Sequence, residues 1–215
     1  MHLRMPLLLI VFLAAFCSAD AQQLLSEGVI TYKLTMANPQ APGEKTTGTY
    51  TIYIKGNLVR KDLSLSNGFR STIIINGSNN TAVSLQSKNG RNLALQLDFA
   101  SLLEKKRKYL GYRVQEGQPA ATFASCDGNS YHVTYKDGTT TTVVLCDKWT
   151  LEADAFDRLP GVRQVPLTFE LINDNGSVMY FQATEIQSKP IESSTFRIPS
   201  DYTLISASEY KEISR

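Results

Sequence analysis

The sequence predicts a mainly β protein, an antiparallel sheet of about ten strands with one main helix and short helical turns. The first observation behind this prediction is that apolar and polar residues alternate in short runs, as on strands with one buried face. The second is that most runs end in Gly, Asn or Asp, which tolerate the positive φ of tight turns. The third is that only one stretch has helical character. Consecutive strands are therefore expected to pair as hairpins.

The N-terminal segment is typical of a secretory signal peptide. Arg4 precedes an apolar run over residues 6–16, and Ala19–Ala21 supplies the small-x-small pattern of a cleavage site. The apolar run is too short for a membrane span, which takes about 20 apolar residues. We therefore expect export, removal of residues 1–21 and a single mature β domain over residues 22–215.

Cys17 offers an alternative, because bacterial lipoproteins retain a cysteine as the first residue of the mature chain. The residue before such a cysteine is small, whereas here it is Phe16. We therefore place Cys17 inside the removed peptide. Lipidation at Cys17 would instead anchor the protein to the cell envelope.

Charge and composition disfavour some classes of function. The chain of 215 residues carries a net charge of +2, and removal of residues 1–21 leaves that charge unchanged. A balance this close to neutral does not favour nucleic-acid binding. The composition is that of an ordinary globular domain, so we expect a monomer whose mature chain has no transmembrane segment.

Two cysteines remain in the mature chain, Cys126 and Cys146, one at each end of a predicted hairpin. In an exported protein a disulfide is the default interpretation of such a pair. Two free thiols, or a nucleophile and its partner, are the alternatives. A metal site lacks ligands, because His132 is the single histidine of the mature chain. The sequence thus favours a structural disulfide that contributes about 3 kcal/mol by closing its loop.

The register of this hairpin sets a condition on the disulfide. A two-residue turn at Asp137-Gly138 would place Cys146 opposite Asn129, about 10 Å along the strand from Cys126. That offset exceeds the Cα separation of about 7 Å that a disulfide allows. A bend at Asp127–Asn129 would bring Cys126 back beside Cys146.

The predicted strands follow one another with short connections, apart from one Pro/Gly-rich stretch after the first. Lys88-Asn89-Gly90 and residues 173–176 are among the turns. In order, the extended segments are EGVITYKLTM (27–36), TGTYTIYIK (47–55), NLVRKDLSL (57–65), FRSTIII (69–75), TAVSLQS (81–87), RNLALQL (91–97), GYRVQ (111–115), AATFAS (120–125), the two arms of the 126–146 hairpin, VPLTFELIND (165–174), GSVMYFQATEIQS (176–188) and TFRIPSDYTLI (195–205).

One helix of about three turns is predicted over DFASLLEKKRKYL (98–110). Asp98 is the expected N-cap, and Phe99, Leu102 and Leu103 lie near one face. The cations that follow suit the C-terminal end of a helix dipole, and they could also contact anionic head groups. The segment KWTLEADAFDRLPGV (148–162) is expected to be a loop with one helical turn.

A single helix cannot cover a sheet this wide, and the apolar face of a sheet must be covered. Either the sheet curls into a closed barrel, or its concave face stays partly open. An open apolar concavity is where a hydrophobic ligand would bind.

Several landmarks occur in order along the mature chain. They are EGVITYKLT, TIYIKGNLVRKDL, a helix followed by GYRV, CDGNSYHVTYKDG, the Trp-containing CDKW, and ATEIQSKPIESSTFRIPSDY. Together they resemble the LolA/LolB-like superfamily, especially a periplasmic branch with a similar Y-x-I-Y-x-K-G…R strand pair and a closing F-x-I-P-x-x-Y. The resemblance spans nearly the whole mature chain.

The resemblance implies an antiparallel, LolA-like half-barrel with helices over an apolar cavity, located in the periplasm. In characterised members that cavity carries lipoprotein acyl chains, so a lipid or acyl chain is the expected ligand. Those members have a functional arginine on an early strand, to which Arg60 is the nearest match. Here alternation puts Arg60 on the polar face of its strand, with Asp62 and Ser64.

The leading hypothesis is therefore a non-catalytic periplasmic protein that binds or carries a hydrophobic ligand on the concave face. Besides Arg60, the candidate ligand-binding residues are the apolar residues that alternate toward that face: Ile30, Tyr32, Leu34, Ile52, Ile54, Leu93, Leu95, Leu97, Phe169 and Leu171.

The alternative hypothesis is a cell-envelope protein-interaction or scaffold module with a self-packed sheet and no ligand. An enzyme is disfavoured, because no G-x-S-x-G motif or paired-carboxylate spacing stands out. His132 lies mid-strand in SYHVTY and is expected to be a half-exposed strand residue. We predict no cofactor and no metal.

Overall fold

The structure is a computed structural model that describes residues 22–37, 43–88, 90–119, 121–172 and 176–213. The predicted signal peptide, including Cys17, lies outside the described residues, as do Asn89 and the turn residues 173–175. Within the described ranges, no helix is long and apolar enough to cross a membrane.

A single sheet of 13 strands dominates the fold, in the order β13-β7-β6-β5-β4-β3-β2-β12-β11-β10-β9-β8, with β1 alongside β10. The strands are β1 (Gln23–Leu24), β2 (Glu27–Ala37), β3 (Lys45–Lys55), β4 (Leu58–Leu65), β5 (Arg70–Asn76), β6 (Thr81–Lys88), β7 (Arg91–Leu97), β8 (Arg113–Pro119), β9 (Gly128–Thr134), β10 (Thr140–Thr150), β11 (Gln164–Ile172), β12 (Val178–Ser188) and β13 (Thr203–Ile205).

The pairing of the strands confirms the predicted antiparallel, mainly β fold. Among the described strands, only the short β1 and β13 pair in parallel, with β10 and β7 respectively. Strand β13 lies within the predicted extended tail, whereas β1 was not predicted, and the sheet has 13 strands rather than about ten. Among the described residues, the end strands β8 and β13 do not pair with each other. The sheet is therefore open, as in a half-barrel.

The two faces of the sheet are covered by different segments. Side chains alternate along a strand, so Ile30 and Tyr32 point to one face, the inner face, and Val29 points to the outer face. The inner face is covered by residues 151–163, which connect β10 to β11 and are called the inner loop below. The outer face is covered by residues 189–202, called the outer segment.

The outer segment forms a second hydrophobic core with the sheet. Its two anchors are Ile191 and Phe196, which pack against Val29, Ile74 and Leu85. The sequence predicted an extended tail here. Instead, the tail contains a short 3-10 helix over Ser193–Phe196, which turns the Phe196 ring toward the sheet.

Hydrogen bonds fix the start of the outer segment. The Glu27 carboxylate accepts from the Ile191 backbone N–H at 2.7 Å, and Lys55 Nζ donates to the Ile191 carbonyl at 2.8 Å. Glu27 and Lys55 also form an ion pair at 2.7 Å. The outer segment is therefore tied to the β2–β3 pair at the point where it leaves β12.

The structure contains two α-helices, α1 (Phe99–Arg107) and α2 (Ala207–Ile213). The N-cap prediction for α1 is confirmed, because the Asp98 carboxylate accepts from the Ala100 N–H at 3.1 Å. The expectation of one main helix is corrected by α2. That helix begins with a capping box, in which Ser206 N–H donates to Glu209 Oε2 at 2.7 Å.

The predicted disulfide between Cys126 and Cys146 is present, with a Cα–Cα distance of 5.9 Å. The hairpin register differs from the expected one, because the turn has three residues rather than two. Gly138, at φ 84°, ends a turn in which its N–H donates to the Tyr135 carbonyl at 3.0 Å. Cys146 therefore pairs with Gly128 instead of Asn129.

The segment before Cys126 brings that cysteine into reach of Cys146. It was predicted as a strand, AATFAS, but its described part forms a tight turn closed by backbone hydrogen bonds between Phe123 and Cys126. Ala124 and Ser125 both have positive φ in this turn, 51° and 58°. The disulfide stabilises this costly backbone conformation at the start of β9.

Candidate functional site

The candidate ligand-binding residues predicted from alternation share one face of the sheet. Ile30 pairs with Ile52, and the same row continues through β4, β5 and β6 to Leu95 on β7. Phe169 pairs with Phe181, which pairs with Leu34. The structure therefore brings the predicted apolar residues together on the inner face.

Most of these predicted residues are buried. Ile30, Tyr32, Ile52 and Ile54 are 0% exposed and Leu34 is 1% exposed. Leu93 and Phe169 are also buried, whereas Leu95, Leu97 and Leu171 are half-buried.

The inner loop covers the centre of the inner face. Phe156 from this loop packs edge-on against Tyr32 and Phe169, with ring centroids 6.4 and 5.6 Å away. Phe169 in turn stacks on Phe181 at 4.5 Å. The Tyr32 hydroxyl donates to the Pro166 carbonyl at 2.9 Å. The middle of the concavity is thus filled by the protein's own side chains.

A cavity of about 630 Å³ remains beside this filled centre, between the inner face of β4 and β5, helix α1 and the inner loop. The sheet contributes Val59, Ile73 and Ile75. The apolar residues on the other sides are Phe99, Leu102, Leu103, Tyr109, Ala153 and Leu171. Of the predicted ligand-binding residues, Leu171 is the one that lines this cavity in the described part of the chain.

Helix α1 stands over the cavity as a lid. None of its residues is buried, although Phe99, Leu102 and Leu103 are apolar and face the cavity. A surface helix ordinarily buries its apolar stripe against the core. Here that stripe faces the cavity instead.

An ionic cluster of Lys61, Lys106, Asp154 and Asp157 joins the lid, the inner loop and the sheet. Lys106 Nζ on α1 lies 3.1 Å from Asp154 Oδ2 and 3.4 Å from Asp157 Oδ1, both on the inner loop. Lys61 Nζ on β4 lies 3.0 Å from Asp157 Oδ2. Charge pairs therefore contribute to holding α1 over the cavity.

Asp157 sits at the centre of this cluster. Partial loss of hydration would raise the pKa of the Asp157 carboxyl, but the charges of Lys61 and Lys106 and their hydrogen bonds outweigh that effect. The pKa of Asp157 is consequently lowered from its ordinary value, and the carboxylate is ionised at neutral pH.

Lys61 was not recognised in the sequence, although a signal was present. In NLVRKDLSL it occupies the same face as Val59 and Leu63, so alternation places a lysine on an apolar face. Its side chain is 5% exposed, because the aliphatic stem lies among the apolar residues and Nζ meets Asp157.

Arg60, the predicted functional arginine, lies on the opposite face from the cavity. Its Nε donates to the Asp62 carboxylate at 2.9 Å, and Nη1 donates to the Thr195 carbonyl at 3.0 Å. These contacts link β4 to the outer segment. The alternation of NLVRKDLSL had placed Arg60 with Asp62, as observed.

The described residues include side chains of the types that bind metals or act as a catalytic base. Within them, His, Cys, Asp and Glu form no group of three that could hold a metal ion. His132 lies exposed on β9, with its Nδ1 3.2 Å from Thr142 Oγ1 on the neighbouring strand. The arrangement around the cavity is suited to binding, with apolar walls and charged groups at one side.

Comparisons with known proteins yield only distant structural likenesses. No protein-family model matches the chain. No curated protein matches it by sequence. A LolA superfamily protein from Nitrosomonas europaea aligns with 83% of this chain and 93% of its own, at 10% identity and a TM-score of 0.39.

Structures of MucB are also similar. The Pseudomonas aeruginosa MucA/MucB complex aligns with 82% of this chain at 14% identity and a TM-score of 0.41, and MucB alone does so at 15% identity and 0.39. This chain covers only 58% and 61% of those chains.

Proposed function

We propose that this protein is a non-catalytic binder or carrier of one hydrophobic ligand, a lipid or acyl chain, held beneath α1. The observation that carries the proposal is the cavity of about 630 Å³ between an apolar part of the sheet and a helix with no buried residue. A ligand in this cavity would cover the apolar stripe of α1 that the fold itself leaves uncovered.

The size and chemistry of the cavity support a ligand of this class. Small-molecule sites commonly occupy about 300–1,000 Å³ and are lined mainly by apolar side chains. Each methylene removed from water contributes about 0.8 kcal/mol, so ten methylenes give a gross gain of about 8 kcal/mol. The entropic cost of association takes away part of this gain, which leaves room for micromolar affinity.

The proposed location is the periplasm, reached by export and removal of residues 1–21. The disulfide between Cys126 and Cys146 supports an oxidising compartment, since disulfides persist there and are rare in reducing ones. Anchoring through a lipidated Cys17 is the alternative location.

A cell-envelope protein-interaction module is the second candidate. The observation in its favour is that Phe156 and the rest of the inner loop fill the centre of the inner face, as expected for a self-packed sheet. This candidate requires no ligand beneath α1. Protein purified from its own envelope would then carry no lipid and would take none up from a lipid extract.

Native mass spectrometry of the protein purified from its own envelope tests the proposal. We expect a mature chain that begins at Gln22, lacks the two disulfide hydrogens and carries one lipid-sized adduct. A bare chain that also fails to take up lipid would overturn the binding proposal and favour the interaction module. A diacylated Cys17 would revise the location alone.

A charged substitution in the lid locates the site. Leu103 is 46% exposed and lines the cavity, whereas Leu204 on β13 is 55% exposed and lies outside the cavity lining. Leu103→Glu should weaken binding of the neutral fluorophore N-phenylnaphthylamine about tenfold, because a carboxylate would enter an apolar site. The matched variant Leu204→Glu should bind it like wild type, and equal effects of the two variants would contradict the proposed site.

A further inference from the structure

The charged groups that line the cavity are unequal in number. Five are cationic and three are carboxylates, an excess of two positive charges in a chain whose overall charge is itself only +2. The cavity lining alone therefore carries a net charge equal to that of the whole chain. The cations are Lys61, Lys105, Lys106, Lys108 and Arg158, and the carboxylates are Glu152, Asp154 and Asp157.

Two of the five cations are already neutralised. Lys61 and Lys106 form ion pairs with Asp157, and Lys106 also pairs with Asp154. Lys105 forms no ion pair with any described residue. Lys108 and Arg158 form no ion pair with any described residue either, and neither does Glu152. Arg158 Nη2 donates to the Ile172 carbonyl, and the remaining donors of the three cations can contact an external partner.

These three cations come from two separate elements and line the same cavity. Lys105 lies in the last turn of α1, and Lys108 follows as its C-cap. Arg158 belongs to the inner loop. Lys108 Nζ lies 4.9 Å from the centre of the Tyr109 ring, and the Arg158 guanidinium lies 5.4 Å from the same ring. Tyr109 therefore marks a cationic end of an otherwise apolar cavity.

Stabilisation of the C-terminal end of α1 explains only part of this arrangement. Lysines in the last turn of a helix compensate its dipole, which accounts for Lys105 and Lys108. Arg158 belongs to the inner loop and not to the last turn of α1, so compensation of the helix dipole does not explain its position. Arg158 and Lys108 meet at the Tyr109 ring, and Lys105 lines the same cavity, which creates a positive site next to apolar walls.

Resting on the function proposed above, we propose that the ligand is an anionic single-chain amphiphile. Its alkyl chain lies between α1 and strands β4 and β5, and its carboxylate or phosphate head group contacts Lys105, Lys108 and Arg158. A neutral amphiphile of the same chain length fills the apolar part and gives these cations no charged partner. A cationic amphiphile meets three like charges.

The proposal is tested with four compounds that share one alkyl chain: dodecanoate, dodecyl phosphate, dodecanol and dodecylammonium. Each compound is tested for displacement of N-phenylnaphthylamine from the full mature protein at neutral pH. The affinity of each compound is measured at low and at high salt. We expect both anions to bind about tenfold more tightly than dodecanol, and dodecylammonium to bind more weakly than dodecanol. The preference should shrink at high salt, because the Debye length falls from about 10 Å at 0.1 M to about 3 Å at 1 M.

A double variant tests where the head group of the ligand binds. Lys105→Gln with Lys108→Gln should reduce the preference for anions about fivefold and leave the affinity for dodecanol unchanged. Lys33→Gln with Lys189→Gln removes the same charge from exposed positions away from the cavity and should leave the preference intact. A thermal unfolding curve for each variant verifies that α1 and the sheet remain folded.

Each outcome has a distinct meaning. Equal binding of anions and dodecanol would overturn this inference while the function proposed above stands. Binding of none of the four compounds would overturn both. An anion preference that survives Lys105→Gln with Lys108→Gln, or that falls equally in the control variant, would overturn the placement of the head group. Dodecyl phosphate far above dodecanoate would identify phosphate as the head group, and the reverse would identify carboxylate.

Discussion

At the scale of single residues, Lys61 and Asp157 form a pair with unequal surroundings. The Lys61 side chain is 5% exposed and sits on the inner face, whereas the Asp157 side chain is 59% exposed. Removing Asp157 should therefore affect the free energy of unfolding differently from removing Lys61. Water can solvate Asp157 without Lys61, but little water reaches the Lys61 ammonium without Asp157.

This asymmetry makes a prediction about two substitutions. Asp157→Asn should lower the free energy of unfolding by about 2–4 kcal/mol, because it leaves a buried charge without its carboxylate. Lys61→Met should change that free energy by less than about 1 kcal/mol, since the apolar stem is kept and Asp157 stays hydrated. Urea unfolding measures both. A loss for Lys61→Met as large as that for Asp157→Asn would contradict the asymmetry of this pair. So would a double variant Lys61→Met/Asp157→Asn that fails to recover most of the Asp157→Asn loss.

The difference between core and cavity gives a second residue-level prediction. Ile52 is fully buried beneath the inner loop, whereas Ile75 is half-buried and faces the cavity. Ile52→Ala should cost about 3 kcal/mol of unfolding free energy, because it opens a new void in packed core. Ile75→Ala borders an existing void and should cost about 1 kcal/mol. Similar losses for the two variants, measured by urea unfolding, would mean that no cavity is present beside Ile75.

Alternation along the strands could predict which residues share a face, but not what covers them. Ile30, Tyr32 and Leu34 do lie on one face as predicted. Whether that face is open depends on Phe156, which belongs to the inner loop. The inner loop has no regular periodicity, and Phe156 follows these three residues by more than 100 positions in the chain. Lys61 was detectable as the polar exception on an apolar face.

At the scale of elements, α1 depends on the ionic cluster more than on apolar packing. The helix has no buried residue, and Lys106 connects it to the inner loop through Asp154 and Asp157. Ion pairs of this kind weaken when their carboxylates are protonated or when salt screens them, whereas apolar packing has no charge to titrate or screen. The lid should therefore respond to conditions that leave the sheet unchanged.

The lowered pKa of Asp157 sets the pH range of this response. A carboxyl whose pKa is lower in the folded state stabilises the fold above its unfolded pKa of about 3.9 and loses this contribution as pH falls through the folded value. The difference in unfolding free energy between wild type and the Lys61→Met/Asp157→Asn double variant should thus stay constant from pH 7 to about 5. Below about pH 4 this difference should change to the disadvantage of wild type, because the contribution of the Asp157 carboxylate is lost.

Urea unfolding of both proteins across this pH range measures the difference. Other carboxyls with lowered pKa, including Glu27 and Glu209, titrate alike in both proteins and cancel. A difference that changes already between pH 7 and 5 would contradict the assigned direction of the Asp157 shift.

Local signals predicted most elements, and the exceptions have physical causes. The strands from β2 to β7 follow their turn residues, and α1 follows its Asp98 cap. Helix α2 was missed although Ser206 and Glu209 form a recognisable capping box. The three-residue turn at Lys136–Gly138 could not be told from a two-residue turn, because both use glycine at positive φ.

At the scale of the whole molecule, one open sheet is covered on both faces, and the segments that cover the two faces pack against it differently. On the outer face, Ile191 and Phe196 pack closely over the sheet and are tied by Glu27 and Lys55. On the inner face, the inner loop fills the centre and α1 leaves a cavity. The outer segment is thus packed against the sheet, whereas α1 stands over space that a ligand could fill.

Binding should therefore rigidify the lid rather than the sheet. A ligand beneath α1 gives Leu102 and Leu103 the apolar partners that the fold does not provide. The outer segment is already packed and should be unaffected. Local stability follows buried apolar contacts, so the change should be confined to α1 and the adjoining inner loop.

Hydrogen exchange with and without saturating dodecanoate shows whether the ligand lies beneath α1. We expect amides of Phe99–Arg107 to exchange at least tenfold more slowly in the complex, while those of the outer segment at 189–202 do not change. Protection confined to the outer segment or to the sheet edges, with α1 unchanged while ligand is bound, would contradict a site beneath α1.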